Sequence, residues 1–185
     1  MTGGAYADLV AAYLARRFAG RGLKVYREIS VGKTIIGKNR RIDVFCVCEA
    51  NNKAFAIECK YQESEGTVDE KVPYALDDLQ ALPMAGCIAY AGKGFSAGVQ
   101  HMLEASPHAA YCLPLHGQTE CTSETRELDH LLATHFGWWD VLVANKMPVN
   151  PEASGPRTTL LKESGIGNQD SGLGQAPLSL PMSDS

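Results

Sequence analysis

The sequence predicts an α/β domain, and three observations carry the prediction. Apolar residues recur at helical spacing from Tyr6 to Phe18. Short runs rich in β-branched and aromatic residues follow, separated by glycine-bearing or polar breaks, and read as strands. Helix-like and strand-like stretches then alternate, so the order is helix, three strands, helix, strand, helix, strand, helix.

The first helix is expected over residues 5–19. Tyr6, Leu9, Val10, Tyr13, Leu14 and Phe18 form one stripe, Thr2 suits the cap, and Gly20 and Gly22 stop the helix. The first strand, 23–31, alternates Leu23, Val25, Ile29 and Val31 with Lys24, Tyr26, Glu28 and Ser30. In the connection over 32–39, Thr34, Ile35 and Ile36 are expected to continue the strand across a bulge or tight bend. Two apolar strands then flank a polar turn at 49–53.

Thr67-Val68-Asp69-Glu70 fits a capping box. Pro73 lacks a backbone donor, so a kink is expected, or a helix that begins with Pro73 and runs to about Leu82. An apolar strand over 85–91 ends in Gly92-Lys93-Gly94, which lacks the spacing of a phosphate-binding loop and reads as a turn. A helix over 95–105 is expected to turn Val99, Met102 and Leu103 inward. A strand over 109–115 and a helix over 123–136 follow, with Trp138 and Trp139 packing that helix onto the body. From residue 147, Pro, Gly and Ser dominate. The domain is therefore assigned to 1–146 and a disordered tail, open to a protein partner, to 147–185.

The 185 residues suffice for one domain with a core and an appendage. No run is long enough to cross a membrane, and the N-terminus lacks the layout of a signal peptide, which sets membrane classes aside. The six cysteines show no zinc spacing, and most lie in apolar runs. They read as free thiols in a reducing cytosol. The formal net charge of −4 argues against a generic DNA binder, but its distribution does not. Between Arg16 and Arg41 nine basic residues face one acid, Glu28, for a local charge of +8. Such polarity suits a face turned to phosphates, with Lys33, Lys38, Arg40 and Arg41 as contacts. The same residues also suit a solvated helix end and a charged edge hairpin.

The chemistry concentrates between Asp43 and Gln62. Asp43, Glu58 and Lys60 are ionisable groups set inside apolar strands, where charges are rarely buried without partners. Glu58 and Lys60 share a strand face, and Gln62 follows them onto it. A hairpin brings Asp43 beside Glu58, gathering two carboxylates and an ammonium. Carboxylate oxygens suit Mg²⁺, which lowers the pKa of bound water and stabilises charge on a phosphoryl oxygen. Lys60 is then placed to orient the attacking water. The bland alternative is a cross-strand ion pair on a solvated face, against which the apolar flanks weigh.

Asp43, Glu58-Cys59-Lys60 and their strand context resemble the Asp…(Asp/Glu)-x-Lys signature of the PD-(D/E)XK nuclease superfamily. Ile42 stands where that signature often has proline. The resemblance implies a restriction-endonuclease-like αβββαβ core, a central mixed sheet flanked by helices. It implies a metal-dependent DNA endonuclease of the restriction-endonuclease-like or resolvase-like branch, with structure-specific action of resolvase or repair type expected over sequence-specific action, using Mg²⁺ with Mn²⁺ as substitute. Asp43 and Glu58 would bind metal and Lys60 would be catalytic. Gln62 would support the site or contact phosphate. Glu28 would be an extra acidic ligand or a partner of nearby arginines. Lys71 and Tyr74, on the helix after the Lys60 strand, would touch nucleic acid. A binding module that kept the fold and lost catalysis is the alternative. Monomer or homodimer, and DNA or RNA, stay open, with DNA the primary expectation.

Overall fold

The computed structural model describes residues 1–64 and 69–151. Its contacts divide the chain into Met1–Met147 and Pro148–Ser185, and all elements described here lie in the first unit. Helix α1 spans Gly3–Arg17 and starts where Ala5 N donates to Thr2 Oγ1 at 3.2 Å. Phe18 and a single 3₁₀ turn end it, and Gly22 at φ 69° hands the chain to the sheet. Strands β1 (Leu23–Lys33), β2 (Asn39–Cys48) and β3 (Lys53–Tyr61) form an antiparallel meander. Helix α2 (Lys71–Gln80) leads to β4 (Gly86–Ala91), and α3 (Ala97–Ala105) leads to β5 (Ala109–Tyr111). Both returning strands are parallel to their neighbours, as strands joined through a helix can be, and the sheet order is β1-β2-β3-β4-β5. Helices α4 (Arg126–Phe136) and α5 (Trp139–Leu142) close the unit. The result is the expected α/β architecture, a mixed five-stranded sheet with helices flanking it.

Side-chain alternation decides what each face meets. Val44, Cys46 and Cys48 of β2, Phe55, Ile57 and Cys59 of β3, and Cys87, Ala89 and Ala91 of β4 pack with α1 and α4. Ile88 and Tyr90 of β4 pack with Val72, Ala75, Leu76 and Leu79 of α2 and Leu103 of α3. Tyr6 donates to the Cys112 carbonyl at 2.6 Å, and Tyr13 donates to the buried Asp129 carboxylate of α4. Arg17 Nε reaches the same carboxylate at 3.0 Å, so the one charge in this core is paired.

Several local expectations need correction. Pro73 is the third residue of α2, not its first, and sits within the continuous helix Lys71–Gln80. The first four amides of a helix have no intrahelical acceptor, so a missing N–H there breaks no hydrogen bond. Thr34, Ile35 and Ile36 belong to a tight hairpin turn, in which Thr34 N donates to Lys38 O at 2.8 Å, rather than to a continued strand. β5 stops at Tyr111, because Leu113 N turns to the Glu124 carbonyl. Met102 is exposed on α3, whose buried residue is Leu103. Trp138 stacks on Phe136 and Phe18, whereas Trp139 is exposed. The capping box at Thr67 and nearly all of the tail fall outside the described residues.

Candidate active site

The site forms where β2 and β3 part. Their last paired residues are Val44 and Ile57, while β3 continues alongside β4 to Tyr61. Ala56 N donates to the Ala85 carbonyl just before β4 and Gln62 N to the Ala91 carbonyl at its end, so with period two the amide of Cys59 points toward β2. No backbone carbonyl of β2 is there to meet it. Asp43 Oδ2 accepts that hydrogen bond instead, at 2.8 Å. The Asp43 carbonyl accepts from the Arg27 guanidinium, whose Nε is held by Asp8 at 2.8 Å. Asp43 is thereby fixed at both its backbone and one carboxylate oxygen.

Glu58 and Lys60 share the opposite pleat from Ile57 and Cys59, as expected, and face α2. Lys60 Nζ lies 2.6 Å from Glu58 Oε1. Burial pushes the Glu58 carboxyl up from its ordinary range, Lys60 opposes the shift, and the Asp43 charge adds to it. The two carboxylates therefore feel each other across the gap between their strands. Glu58 and Lys60 border a cavity of about 420 Å³ between the β1–β2 hairpin and α2. Lys38, Arg40, Arg41, Lys71 and Tyr74 also line it, so five of the six residues singled out as nucleic-acid contacts converge there.

Other singled-out residues sit elsewhere or are already committed. The Arg40 guanidinium is buried and makes a bidentate pair with Asp78 of α2, at 2.9 and 2.7 Å, so it braces the cavity wall rather than offering a free cation. Glu28 is exposed, has φ 56°, and approaches Arg41 at 3.6 Å, which is the arginine-partner role. Lys33 is exposed at the base of the hairpin turn. Gln62 is buried. Its Nε2 donates to the Gly94 carbonyl at 2.6 Å and to Asp69 Oδ1 at 3.3 Å, and Asp69 Oδ2 accepts from the α3 cap amide, Ser96 N. Gln62 thus clamps the β4–α3 loop onto the end of β3. The clamp is tight, because a Cβ on Gly92 would stand 2.1 Å from the Gln62 carbonyl oxygen.

Asp78 and Asp69 escaped the sequence reading. Asp78 accepts from both Arg40 and Ile35 N, tying the hairpin to α2, and Arg40 holds its carboxyl below the usual range. Its only signal was an arginine inside an apolar strand, which calls for an acid without saying which one.

The model of the PD-(D/E)XK nuclease superfamily domain matches residues 2–139. The chain belongs to the PD-(D/E)XK nuclease superfamily. The match covers α1 to the start of α5, so the nuclease-superfamily core and the described fold coincide. Among solved structures, the protein of unknown function AF1548 shares 14% identity at a TM-score of 0.36, over 53% of each chain. A repair endonuclease from Pyrococcus abyssi shares 18% identity at a TM-score of 0.32, over 52% of this chain and 42% of its own. The chain thus spans about half the length of these structures or less. No curated protein matches it.

The donor set of this superfamily member fits a hard divalent cation. Asp43 and Glu58 supply the one or two carboxylates that Mg²⁺ takes while keeping waters. Asp43 Oδ1 and Glu58 Oε2 accept no hydrogen bond among the described residues. Burial is the main cause of the upward push on Glu58, and the Asp43 and Asp78 charges that add to it are ones a cation would offset.

Proposed function

We propose that the protein is a Mg²⁺-dependent DNA endonuclease that hydrolyses phosphodiester bonds at the parting of β2 and β3. The observation that carries this reading is the pairing of Glu58 with Lys60 at a cavity rimmed by Lys38, Arg41 and Lys71, with Asp43 held on the neighbouring Cys59 amide and its charge felt at Glu58. Asp43 and Glu58 would hold the cation, for which Mn²⁺ is a substitute. When bound, the cation supplies charge to a phosphoryl oxygen and acidifies a water. Cys59 N fixes the orientation of Asp43. Lys60, held beside Glu58, would orient the attacking water and neutralise charge that develops on the phosphate. Gln62 acts through the loop it clamps and is a positioning residue. The basic rim draws the backbone in through phosphate contacts, which position without reading sequence. Free thiols at all six cysteines support a reducing compartment.

Nicking of supercoiled plasmid by wild type and Glu58→Ala, with Mg²⁺ and with EDTA, tests this reading. Cleavage that requires both the metal and Glu58 is expected. Salt-sensitive binding without cleavage would instead assign a binding module, and RNA cleaved in place of DNA would change the substrate.

A further inference from the structure

The cavity beside Glu58 and Lys60 is larger and more apolar than a phosphate needs. Its walls include Ile42, Ala75, Leu79 and Leu82, and its volume of about 420 Å³ is that of a small-molecule site. A backbone phosphate calls for charge and hydrogen-bond donors, which the rim already supplies. Apolar walls beneath a cationic rim suit a flat, weakly polar ring carried on a phosphate chain.

Two further observations point to the same ligand. Tyr74 lines the cavity, yet its hydroxyl oxygen is buried with no hydrogen-bond partner among the described residues. Buried hydroxyls are normally satisfied, which leaves this one open to a polar ring edge that displaces the wall enough to reach it. The hairpin tip also presents Ile35 and Ile36, 51% and 59% exposed, between Lys33 and Lys38. Ile35 N is tied to Asp78, so this apolar tip is held in place at the mouth. Apolar residues flanked by cations are the means by which proteins wedge between stacked bases.

We propose that this cavity receives an unpaired nucleobase of the substrate strand, so that the enzyme acts on nucleic acid with unpaired nucleotides at the cleavage point. The inference rests on the nuclease reading above. A base within a duplex is stacked and does not reach into a recess between the hairpin and α2, whereas a loop or single strand delivers it at little unstacking cost.

Oligonucleotides of one sequence test it, as a perfect duplex, the duplex with a short unpaired loop, and the single strand. In Mg²⁺, cleavage at the loop and in the single strand is expected to exceed that of the duplex by about tenfold or more. Duplex cleaved as fast as the others overturns the cavity proposal and leaves the nuclease reading intact. A second measurement needs no cleavage, namely the affinity and emission of a single strand carrying 2-aminopurine, bound in EDTA. Leu82→Trp, which fills the cavity, is expected to weaken that binding about tenfold and to abolish the emission change, as loss of one base contact would. Tyr74→Phe removes only the hydroxyl and gives about a threefold loss, which keeps the test valid should Leu82→Trp not fold. Base capture with no cleavage of any substrate would sink the nuclease reading alone. Emission and affinity unchanged in both variants would sink the cavity.

Discussion

Glu58 sets folding against chemistry. Burial and the Asp43 charge push its carboxyl up even with Lys60 beside it, so the native environment disfavours the charged form that a cation requires. The folded chain therefore keeps the Glu58 proton to higher pH than the unfolded chain. Its stabilising contribution is complete below the ordinary value of 4.5 and is lost as pH rises through the folded value. Two outcomes follow. Glu58→Gln should lower cleavage by at least about 100-fold, the scale of losing a main electrostatic group. The same variant should melt higher than wild type at neutral pH without metal, a stability–activity trade-off read by thermal denaturation with EDTA. Wild-type cleavage should also fall on acidification at higher pH than an ordinary glutamate would give, because proton and metal compete for one carboxylate. A Glu58→Gln melting point below that of wild type would contradict the assignment of burial as the leading cause.

At the scale of elements, two devices hold the site. The first is the brace between the hairpin and α2. Arg40 is 7% exposed and its side chain fills both oxygens of Asp78. Asp78→Ala strands a buried guanidinium and should cost about 3 kcal/mol, measured as a shift of the urea midpoint. Because Arg40 holds the Asp78 carboxyl low, the brace contributes stability above the ordinary value of 3.8 and loses it as pH falls through the folded value. The acid limb of the stability profile should therefore flatten in Asp78→Asn. The second device is the loop after β4. Gly92 has φ 106°, and any Cβ there collides with the Gln62 backbone. Gly92→Ala should cost about 2 kcal/mol or more and reduce cleavage by shifting Gln62. Unchanged cleavage with lowered stability would separate the clamp from the site.

The whole molecule carries a net charge of −4 yet presents Lys38, Arg41 and Lys71 around the cavity. If Lys38, Arg41 and Lys71 each neutralise one phosphate, the logarithm of the binding constant should fall against log salt with a slope of about −3. Lys38→Ala should then reduce its magnitude by about one. A flat salt dependence would remove the basic rim from the interface. The thiols report on the packed sheet. Five of the six cysteines are buried, and burial pushes Cys46 up to about 12. Native protein should therefore yield one accessible thiol, Cys121, slowed by the burial that pushes it up as well, and all six after denaturation.

Local pattern was enough for the α/β class, the order of elements and the trio Asp43, Glu58 and Lys60, because period-two alternation assigns faces and charges inside apolar strands stand out. Tertiary structure decided what no local pattern encodes. Parting of β2 from β3 left the Cys59 amide for Asp43, and only packing could show that loss of a ladder partner. Arg40 and Lys38 are both cations beside the Asp43 strand. One is consumed by Asp78, 38 positions away in sequence, and the other rims the cavity. Pro73 falls inside α2 because the helix starts two residues earlier, at a boundary that caps and loops set more than periodicity does. The cavity itself belongs to neither the hairpin nor α2, so its volume and apolar walls exist only once the two are brought together.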